Sequence, residues 1–79
     1  MQTLELTYPF KADGQTINQL TLRRPTVRDR LIADKCQGSE VEKEIRFIAN
    51  LCEMAPGDIE QLDMADYSKL QEALTGFLS

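Results

Sequence analysis

The residues QTLELTYPFKADGQTINQLTLR, numbered 2–23, decide the N-terminal part of the fold because they place a strand pattern on each side of a tight turn. The first seven of them alternate strictly in polarity, so Leu4, Leu6 and Tyr8 are predicted to share one face of a strand. Pro9 has no backbone N–H to donate, and we expect it to end the regular pairing of this strand.

The predicted turn lies at Asp13-Gly14, because glycine adopts positive φ angles without steric cost. Leu20 and Leu22 then alternate with polar residues, so both are expected to point inward from a return strand. Ile17 is out of phase with these two leucines, which predicts a bulge or a change of register near the turn. The whole segment is therefore predicted to be a β-hairpin.

A short helix is predicted over about residues 26–36. Pro25 stops the strand, Thr26 is suited to cap the first helical turn, and Asp29 favours the positive end of the helix dipole. The helix is expected to end before Gly38, a residue typical of helix C-terminal caps. Its apolar side chains share one face and are Val27, Leu31 and Ile32.

Two longer amphipathic helices are predicted over about residues 40–54 and 64–77. Ser39 and Glu42 have the spacing of a capping box, which marks where the first of these begins. Its apolar stripe consists of Val41, Ile45, Ile48 and Cys52. The residues 55–58, Ala-Pro-Gly-Asp, break this helix, and a short helical turn is expected to follow them. The stripe of the last helix consists of Tyr67, Leu70, Leu74, Phe77 and Leu78.

The order of these elements predicts an α+β fold, with an N-terminal β-hairpin followed by three helices and one short helical turn. The chain has 79 residues and is expected to form a single domain over residues 1–79, because a second domain would have too few residues left for a core. A two-stranded hairpin alone is barely stable in water, so the helices are expected to cover its leucine face. Such a small core gives modest stability, which favours a binding partner or self-association.

The residue content argues against an enzyme. The chain has no histidine, which is the commonest general base and the commonest zinc ligand. Cys36 and Cys52 cannot complete a four-ligand zinc site, and we interpret them as free thiols in a cytoplasmic protein. The sequence contains no calcium loop, phosphate-binding glycine motif, signal peptide or membrane-spanning apolar run. We therefore predict no catalytic residue, no metal ligand, no cofactor and no contact with a membrane.

The local concentration of positive charge lies at residues 23–30. Four candidate partner-binding residues come from this segment, namely Arg23, Arg24, Arg28 and Arg30. The alternative is that Arg24 or Arg28 pairs with Asp29 or with the acidic C-terminal half. No nucleic acid is expected as a partner, because the net charge is −4, Asp29 interrupts the arginines and no aromatic side chain lies among them. Two further candidates lie on the last helix, where they equally suit the core, and these are Tyr67 and Phe77.

Two blocks of the sequence resemble the tail assembly chaperones of Mu-like prophages and P2-like phages, the group that includes the gene E and Mu 41 proteins. The first block is INQLTLRRPTVRD, residues 17–29, in which a strand ends in leucine and is followed by Arg, Pro and Asp at the spacing of the family. The second is LCEMAPGDIEQLDMADYSKLQEALTGFL, residues 51–78. Its matching residues are Ile59, Leu62, Asp66, Tyr67, Leu70, Gln71, Gly76 and Phe77.

This resemblance implies a non-catalytic chaperone that binds and solubilises the phage tape measure protein in the cytoplasm of a bacterial host during tail morphogenesis. The tape measure protein of this group is long, helical and prone to aggregate until the tail tube forms around it. Two alternatives remain open at the level of sequence. One is a small DNA-binding or regulatory protein, because two capped helices flank Gly38 as in a helix-turn-helix, although Glu40, Glu42 and Glu44 crowd the second helix. The other is a structural component of the tail.

Overall fold

The computed structural model describes residues 2–77 and places an antiparallel hairpin before four helices. The elements are β1 Gln2–Ala12, β2 Gln15–Leu22, α1 Val27–Lys35, α2 Glu40–Cys52, α3 Pro56–Ile59 and α4 Met64–Phe77. The predicted α+β class is thus confirmed. The short helical turn is α3, but its predicted position was wrong, because it begins at Pro56 inside the segment expected to break α2 rather than after Asp58. Leu78, which the sequence pattern adds to the stripe of α4, lies outside the described residues.

The hairpin turns at Asp13 and Gly14, as predicted. Both residues have positive φ, 51° and 78° respectively, and Ala12 pairs with Gln15 across the turn. A two-residue loop with two positive φ angles has the right-handed twist of the strands it joins, so it closes the hairpin without splaying them. No atom lies within 4 Å of where a Cβ on Gly14 would project, so glycine is needed here for its backbone angle rather than for space.

A large bulge divides the hairpin into two registers. Gln2–Glu5 pair with Gln19–Leu22, and Phe10–Ala12 pair with Gln15–Ile17, so residues 6–9 of β1 lie opposite a single residue of β2. The predicted irregularity near Ile17 is confirmed, but its extra residues lie in β1. The expectation that Pro9 ends the pairing was wrong, because Pro9 lies inside the bulge, where no ladder donor is required of it.

The bulge also changes which side chains of β1 face the helices. Leu6 is buried and Phe10 packs against the core, whereas Tyr8 is 56% exposed. The expectation that Tyr8 shares the buried face was therefore wrong, because strict alternation fails where the strand carries extra residues. On β2, Ile17 packs against the same core as Leu20, although the two residues are out of phase in the sequence.

The buried Asp66 of α4 connects that helix to the bulge. The backbone N–H groups of Thr7 and Tyr8 each donate a hydrogen bond of 2.9 Å to a different oxygen of the Asp66 carboxylate. Burial by itself raises the pKa of Asp66, but these two N–H groups and the nearby Lys69 ammonium outweigh it and lower the pKa. The carboxylate thus supplies acceptors to backbone donors that the irregular ladder leaves without a strand partner.

One hydrophobic cluster joins the hairpin to α2, α3 and α4. Its buried members are Leu6, Leu20, Leu22, Ile48, Ala49, Leu51, Ile59, Leu70 and Ala73. The inward orientation predicted for Leu20 and Leu22 is confirmed, since they are 2% and 0% exposed. α1 contributes no residue to this cluster. It packs on α2. The contacts that hold α1 there determine which of its side chains are exposed to solvent.

Candidate functional site

α1 is fastened to the rest of the molecule by the buried carboxylate of Asp29, which is 3% exposed. The Arg23 guanidinium donates two hydrogen bonds to it, of 2.6 and 2.7 Å. Thr26 donates from its backbone N–H at 2.8 Å and from its hydroxyl at 3.1 Å, and Asn50 Nδ2 donates at 2.6 Å. The Arg23 hydrogen bonds, helped by those of Thr26 and opposed by burial, hold the pKa of Asp29 well below its usual range.

These bonds make Asp29 the junction of three elements. Arg23 follows directly after β2, and its backbone N–H donates to the Leu51 carbonyl of α2 at 3.2 Å. Asn50 is also on α2, while Thr26 is the residue that caps α1. Internal pairing of the arginine segment with Asp29 was one reading of the sequence, but the arginine that pairs is Arg23, not Arg24 or Arg28. Arg23 therefore positions α1, and its two guanidinium bonds are directed inward.

The large apolar side chains of α1 face solvent. Val27 is 85% exposed, Leu31 52% and Ile32 46%, while the buried residues of this nine-residue helix are Asp29 and Ala33. Asp29 and Ala33 lie one turn apart and face the molecule, and Val27 and Leu31 lie about 120–160° around the helix from them. The apolar face predicted from the sequence exists, but it points outward because a polar residue defines the inner face.

Positive charge accompanies this apolar surface. Arg28 and Lys35 are both exposed, and with a spacing of seven residues they lie on the same side of α1, about 10 Å apart along its axis. Neither forms a salt bridge within residues 2–77. Arg30 is bound to Asp34 at 3.7 Å, an exposed pair that contributes little to stability. We name the surface formed by Val27, Arg28, Leu31, Ile32 and Lys35 the outer face of α1.

A groove of about 390 Å³ runs between α1 and α2 beside the outer face. Pro25, Val27, Ala33 and Phe47 give it apolar walls. Its charged lining residues are Arg30, Asp34, Glu40, Lys43 and Glu44. Val27 belongs both to the groove and to the outer face, so the two features form one continuous surface.

The other two candidate contact residues lie on α4. Tyr67 and Phe77 are partly buried and pack against the core. The Tyr67 hydroxyl is buried and meets hydrogen-bond geometry with no other described residue. Burial, and then the negative charge of Glu44, raise the pKa of Tyr67 to about 12. The structure thus places the exposed arginines together around α1 and leaves Tyr67 and Phe77 outside the outer face.

Sequence reasoning missed the roles of Asp66 and Asn50. Asp66 is one of the matching residues of the second sequence block, and nothing local indicated that its carboxylate accepts hydrogen bonds from the amides of residues 7 and 8, more than 50 positions away. Asn50 interrupts the apolar pattern of α2, which was the available signal that this position meets a polar group.

Within residues 2–77, no three Asp, Glu or Cys side chains are grouped so as to hold a metal ion. No helix of this part of the chain has the length and apolar character needed to cross a bilayer. The chain is a small α+β protein whose distinguishing surface is an exposed helix that is both apolar and positively charged. A contiguous apolar surface on a small protein is typical of sites that contact another polypeptide.

The family of the protein follows from its sequence as a whole. Residues 3–79 match the family model described as phage tail assembly chaperone proteins, E, or 41 or 14, and the chain belongs to this family. The resemblance seen in the two sequence blocks is therefore confirmed. Membership in a chaperone family indicates a non-enzymatic protein that binds a component of the phage tail. No curated protein and no solved structure gives a significant match.

Proposed function

We propose that this chain binds the tape measure protein of its phage in the host cytoplasm and keeps it soluble until the tail tube forms. Two things support the proposal, namely the family to which the chain belongs and the exposed apolar side chains of α1. A long helical protein that has not yet been enclosed exposes apolar stripes, and a chaperone prevents aggregation by covering those stripes. The family assignment favours this role over the DNA-binding and structural alternatives.

The exposed area also matches a reversible interaction. Val27, Leu31 and Ile32 are 85%, 52% and 46% exposed, and full burial of such a side chain contributes about 1.5–3 kcal/mol. Covering all three thus yields roughly 3–5 kcal/mol, before the entropy of association is subtracted. One copy therefore holds its partner weakly, and several copies along a long helical partner would retain it together while each one exchanges. Such exchange is needed if the tube is to replace the chaperone.

The test is co-expression with a coiled-coil-rich fragment of the tape measure protein encoded by the same phage. We expect the fragment to stay in the soluble fraction and to elute with the chaperone during size-exclusion chromatography at micromolar concentration. The fragment expressed alone, and expressed with an unrelated acidic protein of similar size, are the controls. Clean separation of the two proteins on the column, with no gain in solubility, would contradict the proposal.

A further inference from the structure

We infer that the outer face of α1 is where the partner docks, and that its occupant is a helix of the partner whose apolar stripe is bordered by carboxylates. This inference rests on the proposed function and specifies the site and the chemistry of the segment that is bound. It concerns one surface of this chain, so it can fail while the chaperone function stands.

The apolar part of this surface is not needed for the fold. α1 contributes nothing to the hydrophobic cluster, and the Asp29 carboxylate with its bonds to Arg23, Thr26 and Asn50 ties the helix to the protein. Burial of Val27 and Leu31 by a partner therefore disturbs no internal contact of the core. Their spacing of one helical turn forms a ridge of the kind that packs into the groove of another helix.

The charges select which helix fits. Arg28 and Lys35 flank Leu31 on the outer face and have no salt-bridge partner among residues 2–77, so both are available to a partner's carboxylates. Residues 37–79 carry nine Asp/Glu against three Lys/Arg, so an acidic segment is repelled by most of the remaining surface. Charge complementarity thus both attracts an acidic amphipathic helix to α1 and disfavours other places of contact.

A second copy of this chain is the competing occupant. The exposed Val41 of α2 lies between Glu40 and Glu42, so this chain also has a small acidic and apolar surface. However, Glu42 caps α2 by accepting a hydrogen bond from the Ser39 N–H at 3.1 Å, and Glu44 accepts one from Gln71 at 3.1 Å. Two of the three carboxylates there are already engaged, and the net charge of −4 opposes the approach of copies. These facts favour a different protein as occupant.

The charge preference is tested with two synthetic helices that each have the same leucine stripe. One helix has glutamates on both sides of the stripe and the other has lysines, and both are titrated into the full chain by fluorescence anisotropy at low and high salt. We expect the glutamate helix to bind about tenfold more tightly at low salt, and the difference to shrink in high salt. Equal affinities, or a preference for the lysine helix, would overturn the inference.

Variants of exposed residues then locate the site. Arg28→Glu with Lys35→Glu is expected to reverse the preference between the two helices, and Val27→Ser with Leu31→Ser to weaken the binding of both. Lys11→Glu is the matched control, because Lys11 is an exposed hairpin residue without a salt bridge within the described part of the chain. Circular dichroism checks that every variant is folded. If Lys11→Glu has the same effect as the α1 charge variant, the effect reflects overall charge and the inference is wrong.

The same variants separate this inference from the proposed function. If the wild-type chain retains the tape measure fragment and the α1 variants retain it equally well, the function stands and the site is wrong. If the wild-type chain does not retain the fragment, the proposed function fails irrespective of how the synthetic helices behave. Sedimentation of the chain alone tests whether a second copy occupies this surface. A dimer that dissociates in the α1 variants would assign the surface to a second copy and overturn the inference.

Discussion

Asp66→Asn tests whether the buried carboxylate secures the bulged strand. The substitution preserves the size of the side chain, but an amide offers one oxygen acceptor where Thr7 and Tyr8 now have two. One backbone N–H therefore faces an amide donor, and the other keeps a neutral hydrogen bond in place of a charge-assisted one. A hydrogen bond to a charged group contributes about 1.5–3 kcal/mol, and Thr7 and Tyr8 lie on an exposed part of the strand that water reaches. We expect the free energy of unfolding to fall by about 2 kcal/mol.

Thermal and chemical unfolding measure this loss. In a domain of this size about 2 kcal/mol corresponds to a fall in Tm of roughly 10 °C. Asp63→Asn is the matched control, because Asp63 is exposed, accepts from the Ala65 N–H at the start of α4 and caps a helix as well when it is asparagine. Amide exchange at Thr7 and Tyr8 should also accelerate in the Asp66 variant alone. A free energy of unfolding within about 0.5 kcal/mol of the Asp63 variant would refute the role assigned to Asp66.

Three further predictions concern other residues of the fold. The folded-state pKa of Asp29 is lowered, so its stabilising effect is present above the unfolded pKa and is lost as the pH falls below about 4. Asp29→Asn should therefore unfold more easily at pH 7 and lose less stability between pH 5 and pH 2 than the wild-type chain does. An equal loss of stability in the two proteins over this pH range would contradict the role of Asp29. Gly14→Ala imposes a positive φ of 78° on a residue with a Cβ, which should cost about 1 kcal/mol in urea unfolding, whereas no loss would show that the turn is not held in this form. Burial raises the pKa of the Cys52 thiol to about 11, so with Cys36→Ser the remaining thiol should react with a disulfide reagent at pH 8 at least tenfold more slowly than in the unfolded chain, and equal rates would show that it is accessible.

The polar attachment of α1 has a consequence for which side chains the protein exposes to solvent. A helix held by apolar packing would have turned Val27, Leu31 and Ile32 inward. Asp29 instead occupies the inner face and is neutralised by Arg23, so burying it does not leave an unpaired charge. The apolar residues of α1 are thereby kept in solvent without loss of the fold.

The sequence alone determined the local elements. Alternation predicted the strands, the Asp-Gly pair predicted the turn, and the capping signals at Thr26 and Ser39 predicted where α1 and α2 begin. These signals succeed because each depends on interactions between residues no more than about four positions apart, whose geometry is nearly the same in any fold. The family could also be recognised at this level, since it depends on the order and spacing of residues.

Only the tertiary structure decided which faces are buried and which residues join the elements. The carboxylate of Asp66 meets amides 58 and 59 positions away, and Asn50 meets Asp29 across 21 positions. The same apolar periodicity that marks the core in α2 marks the solvent-facing side of α1, and periodicity does not distinguish the two. The physical reason is that a helix buries the face whose contacts with its particular neighbours lower the free energy most. In α1 that face carries Asp29, whose carboxylate accepts hydrogen bonds from Arg23, Thr26 and Asn50.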